Sequence, residues 1–421
     1  MSNPLPNTSA PAAPALTPPK PIAYAEAIDH LRALAAALPR PQEWRSISQC
    51  LHAVLADDIH APADVPGFRH SAMDGFALAH SESGFAAGSR FRISGETLAG
   101  GAAASLAPNE CVAVATGAIV PDACGTVVPK ENVDLEGDVI TLRCAVVANA
   151  NIRAATDDFA RGHLIAPAGS VVDAALMATA GSCGLARLPV FESLRVAVIV
   201  TGDEVVRVGE PTALGQRIDS NGPLVAAWFA ERGLSIHCIG PLRDDQSLLQ
   251  KTVSEAAAGH DLVLVTGGAS VGPVDHTPAV LNQLGQIVFW RVAVKPGMPV
   301  LAARLGQSVV LGLPGNPVSV FASLHAFVAP LLRMWSRQSD RPMLKAQLAA
   351  PLRKSHGRLE WRRGNIAVDP EGRLVATIHP SESSGAMRSV VESNTLIELA
   401  ADRHDWCAGD LVPILPYRRV F

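Results

Sequence analysis

Two glycine-containing loops in this chain have the composition of phosphate-binding turns. In "LVLVTGGASVGPVDHT" (262–277), an apolar run ends in two adjacent glycines and a carboxylate follows a few residues later. Gly267 and Gly268 let the backbone approach a ligand closely and adopt positive φ, so successive N–H groups can point at an anion. In "LPGNPVS", an apolar run ends at Gly315 and a helix follows, whose N-terminus suits a phosphate. Such turns also occur throughout α/β folds as plain structural turns, but Lys295 on a neighbouring loop favours the phosphate interpretation.

Acidic side chains follow apolar runs in the same region, namely Asp203, Glu204, Asp219, Asp244 and Asp275. Several carboxylates beside a phosphate need a bridging cation, which indicates Mg²⁺. The alternative is helix N-capping, by Asp244 or Asp245 before one helix and by Asp275 before another. No GxxxxGK[ST] motif occurs and no GxGxxG opens a helix after the first strand, which excludes an ordinary ATPase or dehydrogenase.

The elements that must position these residues lie between 191 and 336. Strand-like runs such as "LRVAVIVTGDE" and "DLVLVTGG" alternate with helical runs such as "QSLLQKTVSEAAAG". This alternation predicts a doubly wound, mostly parallel sheet. Ligands bind such sheets beyond the carboxyl ends of the strands. The polar loops at those ends are therefore expected to converge on one crevice; they are 201–204, 243–245, 266–275, 295–298 and 313–316.

Composition narrows the class of protein. The 421 residues exceed one ordinary core, and a formal charge of −4 gives no sign of nucleic-acid or membrane-surface binding. A spanning helix is not expected, since no uninterrupted run of 18 apolar residues occurs. The seven cysteines are scattered and never form CxxC, which favours reduced thiols in a cytoplasmic protein without structural zinc.

The chain outside 191–336 divides into segments of different composition. Residues 1–20 are rich in proline and alanine and are expected to form a disordered tail. Residues 66–144 are rich in valine, glycine and short turns, which predicts a β-rich domain, and 337–421 are expected to form a small C-terminal β domain. The segments 21–65 and 145–190 flank the β-rich domain and are predicted to form a discontinuous helical or linker domain.

Eight motifs occur in an order that identifies a family. They are "SAMDGFA", "TGAIVP", "VIVTGDEV", "DSNG", "TGGASVG", "KPGMP", "LPGNPVS" and "SSGAMRSVVESNTLIEL". With them, the sequence resembles the molybdopterin molybdenumtransferases, the MoeA/gephyrin type, from about residue 21 to the C-terminus. The resemblance implies a multidomain α/β protein in which a MogA-like domain is combined with a helical or linker domain, a β-rich domain and a barrel-like C-terminal domain.

The resemblance also implies an activity. Family members take adenylylated molybdopterin and molybdate, insert molybdenum at the dithiolene and cleave the pyrophosphate in a Mg²⁺-dependent step that releases AMP and molybdenum cofactor. They are homodimers in which the β domain of one subunit completes the site of the other. Molybdopterin adenylyltransferase and molybdoenzyme apoproteins are the implied protein partners, with no nucleic acid and no membrane.

Matched residue by residue, the resemblance assigns roles at the site. The implied catalytic residues are Asp74, Thr116, Asp158, Glu204, Asp275 and Lys295. Asp244 and Asp275 are the implied metal ligands. The implied substrate-binding residues are Asp219, Ser220, Asn221, Gly267, Gly268, Ser270, Gly272, Arg291, Pro314, Gly315, Asn316, Ser319, Arg363 and Ser384, the Arg363 and Ser384 positions being those associated with molybdate.

Several positions depart from the family pattern. Arg69 and His70 precede SAMDG, Thr156 replaces a glycine before Asp157 and Asp158, and Pro273 stands where a second acid is common. Two lysines around KPG are replaced by Arg291 and Met298, and a guanidinium is not equivalent to an ammonium. Two alternatives stay open: another pyrophosphate-cleaving or nucleotidyl-transferring enzyme, such as the adenylyltransferase, and a divergent paralogue that acts as a cofactor-binding scaffold or insertion partner.

Overall fold

The N-terminal part of the chain contributes a helix to a distant core. The computed structural model describes residues 17–270, 275–339 and 342–418, so most of the tail predicted over 1–20 lies outside them. Its first elements are α1 (Tyr24–Ala37), β1 (Gln42–Ser46) and β2 (Ile59–His60). Ala27, Leu31, Leu34 and Ala35 recur at helical spacing and are buried. They belong to the main core of the α/β domain, so α1 packs against that domain and not against its neighbours in the N-terminal segment.

The β-rich segment forms one six-stranded sheet. The strands are β3 (His70–Ser71), β4 (Gly75–Ala79), β5 (Arg90–Thr97), β6 (Glu110–Val114), β7 (Cys124–Pro129), β8 (Val133–Glu136) and β9 (Val139–Leu142). The sheet order is β7-β4-β6-β5-β9-β8, with β3 outside it. Gly75 is required where β4 meets β7, because a Cβ there would lie 2.0 Å from the Val128 carbonyl oxygen.

Residues 145–190 return the chain to the N-terminal segment through short β-pairs. The elements are β10 (Ile152–Arg153), β11 (Leu164–Ala166), α2 (Ala174–Ser182) and β12 (Arg187–Phe191). Three antiparallel pairs form, β10 with β3, β11 with β2 and β12 with β1. The segment predicted as a helical or linker domain is therefore built largely from β-pairs around a small core. Strands of two or three residues are too short to show an alternating pattern in the sequence.

The α/β domain contains a second six-stranded sheet. Its elements are β13 (Val196–Thr201), β14 (Val205–Val206), β15 (Arg217–Ile218), α3 (Asn221–Ala230), β16 (Ile236–Leu242), α4 (Gln246–Gly259), β17 (Leu262–Thr266), α5 (Thr277–Leu284), β18 (Gln286–Trp290), β19 (Val294–Lys295), β20 (Leu301–Leu305) and β21 (Ser308–Leu313). The order is β16-β13-β17-β21-β20-β18. The pairings from β16 to β21 are parallel, and the pairings of β21 with β20 and of β20 with β18 are antiparallel. Strands β13, β17 and β21 are buried throughout, as expected for a sheet covered on both faces. The predicted doubly wound, mostly parallel sheet is confirmed.

A long apolar helix follows the sheet. It consists of α6 (Pro317–Ser323), a π-helical stretch (Leu324–Val328) and α7 (Ala329–Trp335). By length and composition this helix could span a membrane, but 72% of its most apolar window is buried inside the protein. Packing in the core accounts for its composition.

The C-terminal domain is a closed β-barrel. Its elements are β22 (Leu344–Leu348), β23 (Leu352–Arg353), β24 (Leu359–Val368), β25 (Leu374–Ile378), α8 (Arg388–Val391), β26 (Thr395–Leu399), β27 (Asp405–Trp406) and β28 (Leu411–Pro416). The pairing runs β24-β25-β22-β28-β26 and returns to β24, which confirms the predicted barrel-like module. Strand β19 of the α/β domain adds to β24 in parallel, with Lys295 opposite Glu360. The barrel is thus hydrogen-bonded to the segment that carries the KPG motif.

A histidine is buried in the core beside the π-helical stretch. His325 accepts a 3.3 Å hydrogen bond from Trp228 Nε1 and packs against the rings of Phe321 and Tyr417. Burial, followed by the charge of Arg232, lowers the pKa of His325 from 6.5 to about 3. The ring is therefore neutral in the folded state and must gain a proton when the chain unfolds in mild acid.

His325 is expected to make the fold sensitive to acid. Because its folded pKa is below its unfolded pKa, its contribution to stability is present above pH 6.5 and is lost as the pH falls toward 3. When the pH falls from 7 to 5, the free energy of unfolding of the wild type should fall by roughly 2 kcal/mol more than that of His325→Phe. Urea unfolding at both pH values measures this, with the exposed His60→Phe as control. Parallel pH profiles for wild type and His325→Phe would contradict the prediction.

Candidate functional site

The carboxyl ends of the parallel strands border a cavity of about 660 Å³. The loops after β13, β17 and β21 and the starts of α3 and α6 form its walls. The predicted residues that it brings together are Glu204, Asp219, Ser220, Asn221, Asp244, Gly267, Gly268, Ser270, Asp275, Pro314, Gly315 and Asn316. The convergence follows from parallel pairing, which places successive strand ends at one edge of the sheet. We call this cavity the crevice.

The glycine loops lie against each other in the crevice. Gly267 and Gly268 have φ values of +101° and +60°. A Cβ on Gly267 would lie 2.6 Å from Thr201 Oγ1, and a Cβ on Gly315 would lie 3.6 Å from Gly267 Cα. Both the backbone conformation and the close approach therefore require glycine at 267. Gly272 and Pro273 lie outside the described residues.

Two of the acidic residues accept hydrogen bonds from backbone N–H groups at helix N-termini. Asp245 is the N-cap of α4 and accepts a 2.7 Å hydrogen bond from the Leu248 N–H. Asp219 Oδ1 accepts hydrogen bonds from the N–H groups of Asn221 and Gly222 at the start of α3. Asp244, by contrast, exchanges hydrogen bonds with Asp203, each carboxylate accepting from the other residue's backbone N–H. Capping therefore accounts for Asp245, and Asp244 is directed into the crevice.

The crevice carries an excess of negative charge. Glu204, Asp219, Asp244 and Asp275 line it together with Arg217, a cation that the sequence pattern did not single out. Burial raises the pKa of Asp244, and the charges of Asp203 and Glu204 raise it further against a hydrogen bond from the Asp203 N–H. Across the described ranges, no three histidine, cysteine, aspartate or glutamate side chains are grouped so as to hold a metal by themselves. The carboxylates are crowded, but they do not form a complete protein cage for a cation.

The N-terminus of α6 is partly occupied by the barrel. The Val318 N–H donates to the Ser384 carbonyl at 3.1 Å, and Asn316 Nδ2 donates to Ser384 Oγ at 3.0 Å. Pro317 has no N–H to offer. The first turn of this helix therefore holds the loop that carries Ser384, and it has fewer donors for a phosphate than its sequence indicated.

A second cavity, of about 230 Å³, lies between the KPG segment and the barrel. We call it the cationic pocket. It brings together Lys295, Ser319, Arg363 and Ser384 from the predicted set, and Pro299 lines both this pocket and the crevice. The sequence pattern missed four further charged residues in it: Arg358, Glu360, Arg362 and Glu382. Glu360 and Arg362 lie two residues apart in β24 and therefore share one face of the strand, a spacing that the sequence already displays.

Arg291 lies behind Met298, at the edge of the cationic pocket, and also contacts the N-terminal segment. Its Nη1 donates to the Pro19 carbonyl at 3.1 Å, and its backbone has φ of +68° at the end of β18. Among the described residues it lines neither the crevice nor the cationic pocket. The structure therefore brings it to the edge of the cationic pocket but not into its lining.

Three predicted catalytic residues lie in the N-terminal half of the chain. Asp74 Oδ1 accepts hydrogen bonds from the Thr116 N–H and hydroxyl, both 2.8 Å long. Those two bonds are the main reason that the pKa of Asp74 is lowered. Asp158 follows in the turn whose N–H groups bond to the Val65 carbonyl. In the described part of the chain, neither Asp74, Thr116 nor Asp158 lines the crevice or the cationic pocket.

Comparisons with known proteins match this arrangement along most of the chain. Family models match at 22–184 (MoeA N-terminal region, domain I and II), 197–334 (probable molybdopterin binding domain) and 345–417 (MoeA C-terminal region, domain IV). The molybdopterin molybdenumtransferase of Haemophilus influenzae is 31% identical over 91% of this chain and 95% of its own. The chain belongs to the molybdopterin molybdenumtransferase family. The Synechococcus elongatus member of this molybdenumtransferase family is 33% identical over 93% of this chain and 99% of its own.

The fold agrees with a solved structure of a MoeA protein. The molybdopterin biosynthesis MoeA protein of Pyrococcus horikoshii superposes with a TM-score of 0.80 and 25% identity, covering 94% of this chain and 100% of its own. The match includes the α/β domain, the β-rich segment and the barrel. The domain set expected from the eight motifs is thus found in a solved relative of the same overall architecture.

Gly267→Ala tests whether the close approach of the backbone to Thr201 destabilises the fold beyond the general cost of an alanine at positive φ. We expect the free energy of unfolding to fall by roughly 2–4 kcal/mol, because positive φ costs about 1–2 kcal/mol and the clash with Thr201 adds to it. Gly215→Ala is the matched control, since its φ is +93° and a Cβ there would meet nothing within 4 Å. The free energy of unfolding of Gly215→Ala should fall only by the cost of the positive φ. Equal losses for both variants in urea unfolding would contradict the tight approach at Gly267.

Proposed function

We propose that the crevice binds adenylylated molybdopterin and that the enzyme inserts molybdenum at its dithiolene, with Mg²⁺-dependent cleavage of the pyrophosphate. AMP keeps one phosphate and the pterin keeps the other, with water supplying the oxygen and protons added at the broken P–O bond. The two dithiolene sulfurs replace two oxo ligands of molybdate, which leave as water with the thiol protons and two protons from solvent. Membership of the molybdenumtransferase family supports the overall reaction. The observation that carries the assignment to the crevice is the contact of the Gly267 and Gly315 loops beyond the parallel strand ends.

The charge balance of the crevice supports a Mg²⁺ requirement. Four carboxylates and one arginine line it, and a pyrophosphate would add further negative charge. Mg²⁺ is usually held by one or two carboxylates together with substrate phosphates and water, and not by a complete protein cage. Asp244 and Asp275 are the residues that we propose as its ligands. Burial, followed by the charges of Asp203 and Glu204, raises the pKa of Asp244, and a cation at this place would stabilise the ionised carboxylate.

The cationic pocket suits molybdate. Lys295, Arg358, Arg362 and Arg363 against Glu360 and Glu382 give it a net charge of +2, which matches a tetrahedral dianion. Arg363 is fixed by its own donation to Ser389 Oγ and to the carbonyls of Ser381 and Ser383. Because Pro299 borders both cavities, an oxyanion here would lie next to a ligand in the crevice.

We further propose that Asp74, Thr116 and Asp158 act on the crevice of a partner subunit in a homodimer. Asp74 is held firmly by Thr116, yet 53% of its side chain is exposed. A carboxylate fixed in one orientation and open to solvent is suited to meet a second molecule. The seven free thiols support a cytoplasmic location. Molybdopterin adenylyltransferase, as source of the substrate, and molybdoenzyme apoproteins, as acceptors of the cofactor, are the proposed protein partners.

The reaction is tested directly by AMP release. Purified protein incubated with adenylylated molybdopterin, Mg²⁺ and molybdate should release AMP, and omission of molybdate or Mg²⁺ should reduce the rate by at least about tenfold. A family member of known activity is the positive control. If the protein binds the pterin but releases no AMP under conditions where the control works, it is a cofactor-binding scaffold and not the transferase.

Asp244→Asn should raise the Mg²⁺ concentration needed for half-maximal AMP release by about tenfold or more, because it removes a charged ligand of the cation. Asp245→Asn is the matched control: it changes the same charge one residue away, and asparagine still caps α4. A Mg²⁺ titration at saturating pterin compares the two variants. Identical Mg²⁺ dependence in both would remove Asp244 from the cation site.

A further inference from the structure

One carboxylate in the cationic pocket lies where an oxyanion would bind. Glu382 Oε2 is 2.8 Å from Lys295 Nζ, and its Oε1 is 2.5 Å from a terminal nitrogen of Arg362. Its two oxygens therefore bridge an ammonium and a guanidinium, as two oxygens of a tetrahedral oxyanion can. Glu382 comes from the loop that follows β25, and the two cations come from β19 and β24.

The two cations are held in place independently of Glu382. Glu360, whose side chain is 2% exposed, lies 3.0 Å from Lys295 Nζ and 2.8 Å from Arg362 Nε. The Arg362 Nε–H does not point at that oxygen, so this contact is an ion pair without a hydrogen bond. Backbone pairing of Lys295 with Glu360 fixes the same group of residues. Removing Glu382 therefore leaves Lys295 and Arg362 with a buried partner.

Glu382 is the member of this group that can leave. Its side chain is 52% exposed, against 28% for Lys295 and 10% for Arg362. The loop around it is anchored by donation of Arg363 to the Ser381 and Ser383 carbonyls and by the Ser384 contacts with α6. Rotation of the Glu382 side chain into solvent thus requires no movement of the loop.

We propose that Glu382 is an internal counterion that occupies the oxyanion position of the cationic pocket and is displaced by molybdate. This inference rests on the proposed function, and it assigns to Glu382 control over the affinity and charge selectivity of the oxyanion site. With Glu382 in place the pocket has a net charge of +2, and rotation of Glu382 to solvent makes it +3. A dianion gains more from that change than a monoanion does, so the exchange favours molybdate over singly charged ions.

The exchange does not depend on protonation of Glu382 near neutral pH. Lys295 and then Arg362, through hydrogen bonds and charge, hold the pKa of Glu382 at about 2 despite partial burial. The carboxylate is therefore ionised whenever the enzyme meets molybdate. Displacement is a competition between two anions for the same two cations.

Glu382→Gln removes the competing charge but keeps the shape of the side chain. We expect molybdate to bind roughly tenfold more tightly to this variant, a factor equivalent to one charge-assisted hydrogen bond. Isothermal calorimetry of the full chain with molybdate alone measures this. Glu371→Gln is the matched control, because it changes the same charge at the opposite end of β24, where Glu371 pairs with Arg373. Glu382→Ala, which also removes the side-chain oxygens, should bind molybdate at least as tightly as Glu382→Gln.

In the AMP-release assay, Glu382→Gln should lower the KM for molybdate while kcat stays within about twofold, as expected for an effect on ground-state binding. A merely structural role would change kcat and thermal stability without increasing the affinity for molybdate.

Calorimetry with inorganic phosphate tests which anion displaces Glu382. Tighter phosphate binding with unchanged molybdate binding would overturn the proposal. Unchanged molybdate affinity in both Glu382 variants would also overturn it, even if AMP release is normal. Tighter molybdate binding without AMP release would support the counterion and contradict only the proposed reaction.

Discussion

The pairing of β19 with β24 is the contact on which the site depends. It is only two residues long, yet it joins a segment of the α/β domain to the barrel and places Lys295 opposite Glu360. Glu360 is almost fully buried, and a carboxylate in that position is tolerated only if cations accompany it. Lys295 and Arg362 provide them. Because the buried Glu360 carboxylate needs cations next to it, Lys295 of the α/β domain and Arg362 of the barrel are held close together.

Two cavities of opposite charge lie next to each other at this contact. The crevice has four carboxylates and one arginine, whereas the cationic pocket has four cations and two carboxylates, and Pro299 borders both. A phosphate ester with a cation is suited to the first, and an oxyanion without a cation to the second. On the proposed assignment of ligands, the opposite charges also discourage binding in the wrong cavity, since molybdate would be repelled by the crevice carboxylates.

Much of the α/β domain could be predicted because its elements are long and regular. The span "QSLLQKTVSEAAAG" is the whole of α4, and the strand ends converge as parallel pairing requires. The choice between Asp244 and Asp245 as the helix cap could not be made from sequence, because both precede the helix and only the backbone direction separates them. Arg217 was missed because its strand has two residues. Glu382 was missed because its role depends on Lys295, which is 87 residues away in the chain.

The cationic pocket also explains how the chain can carry methionine at a position where the family motif commonly has lysine. Met298 Sδ lies 3.9 Å from a terminal nitrogen of Arg358 and at the same distance from one of Arg291. Arg358 lines the cationic pocket, so a guanidinium from the barrel supplies positive charge beside the thioether. A cation from another domain thus lies beside Met298, which sequence spacing alone cannot show. A guanidinium holds planar, fixed donors and an ammonium does not, so the proposed oxyanion would meet donors of a different direction from those of a lysine at 298.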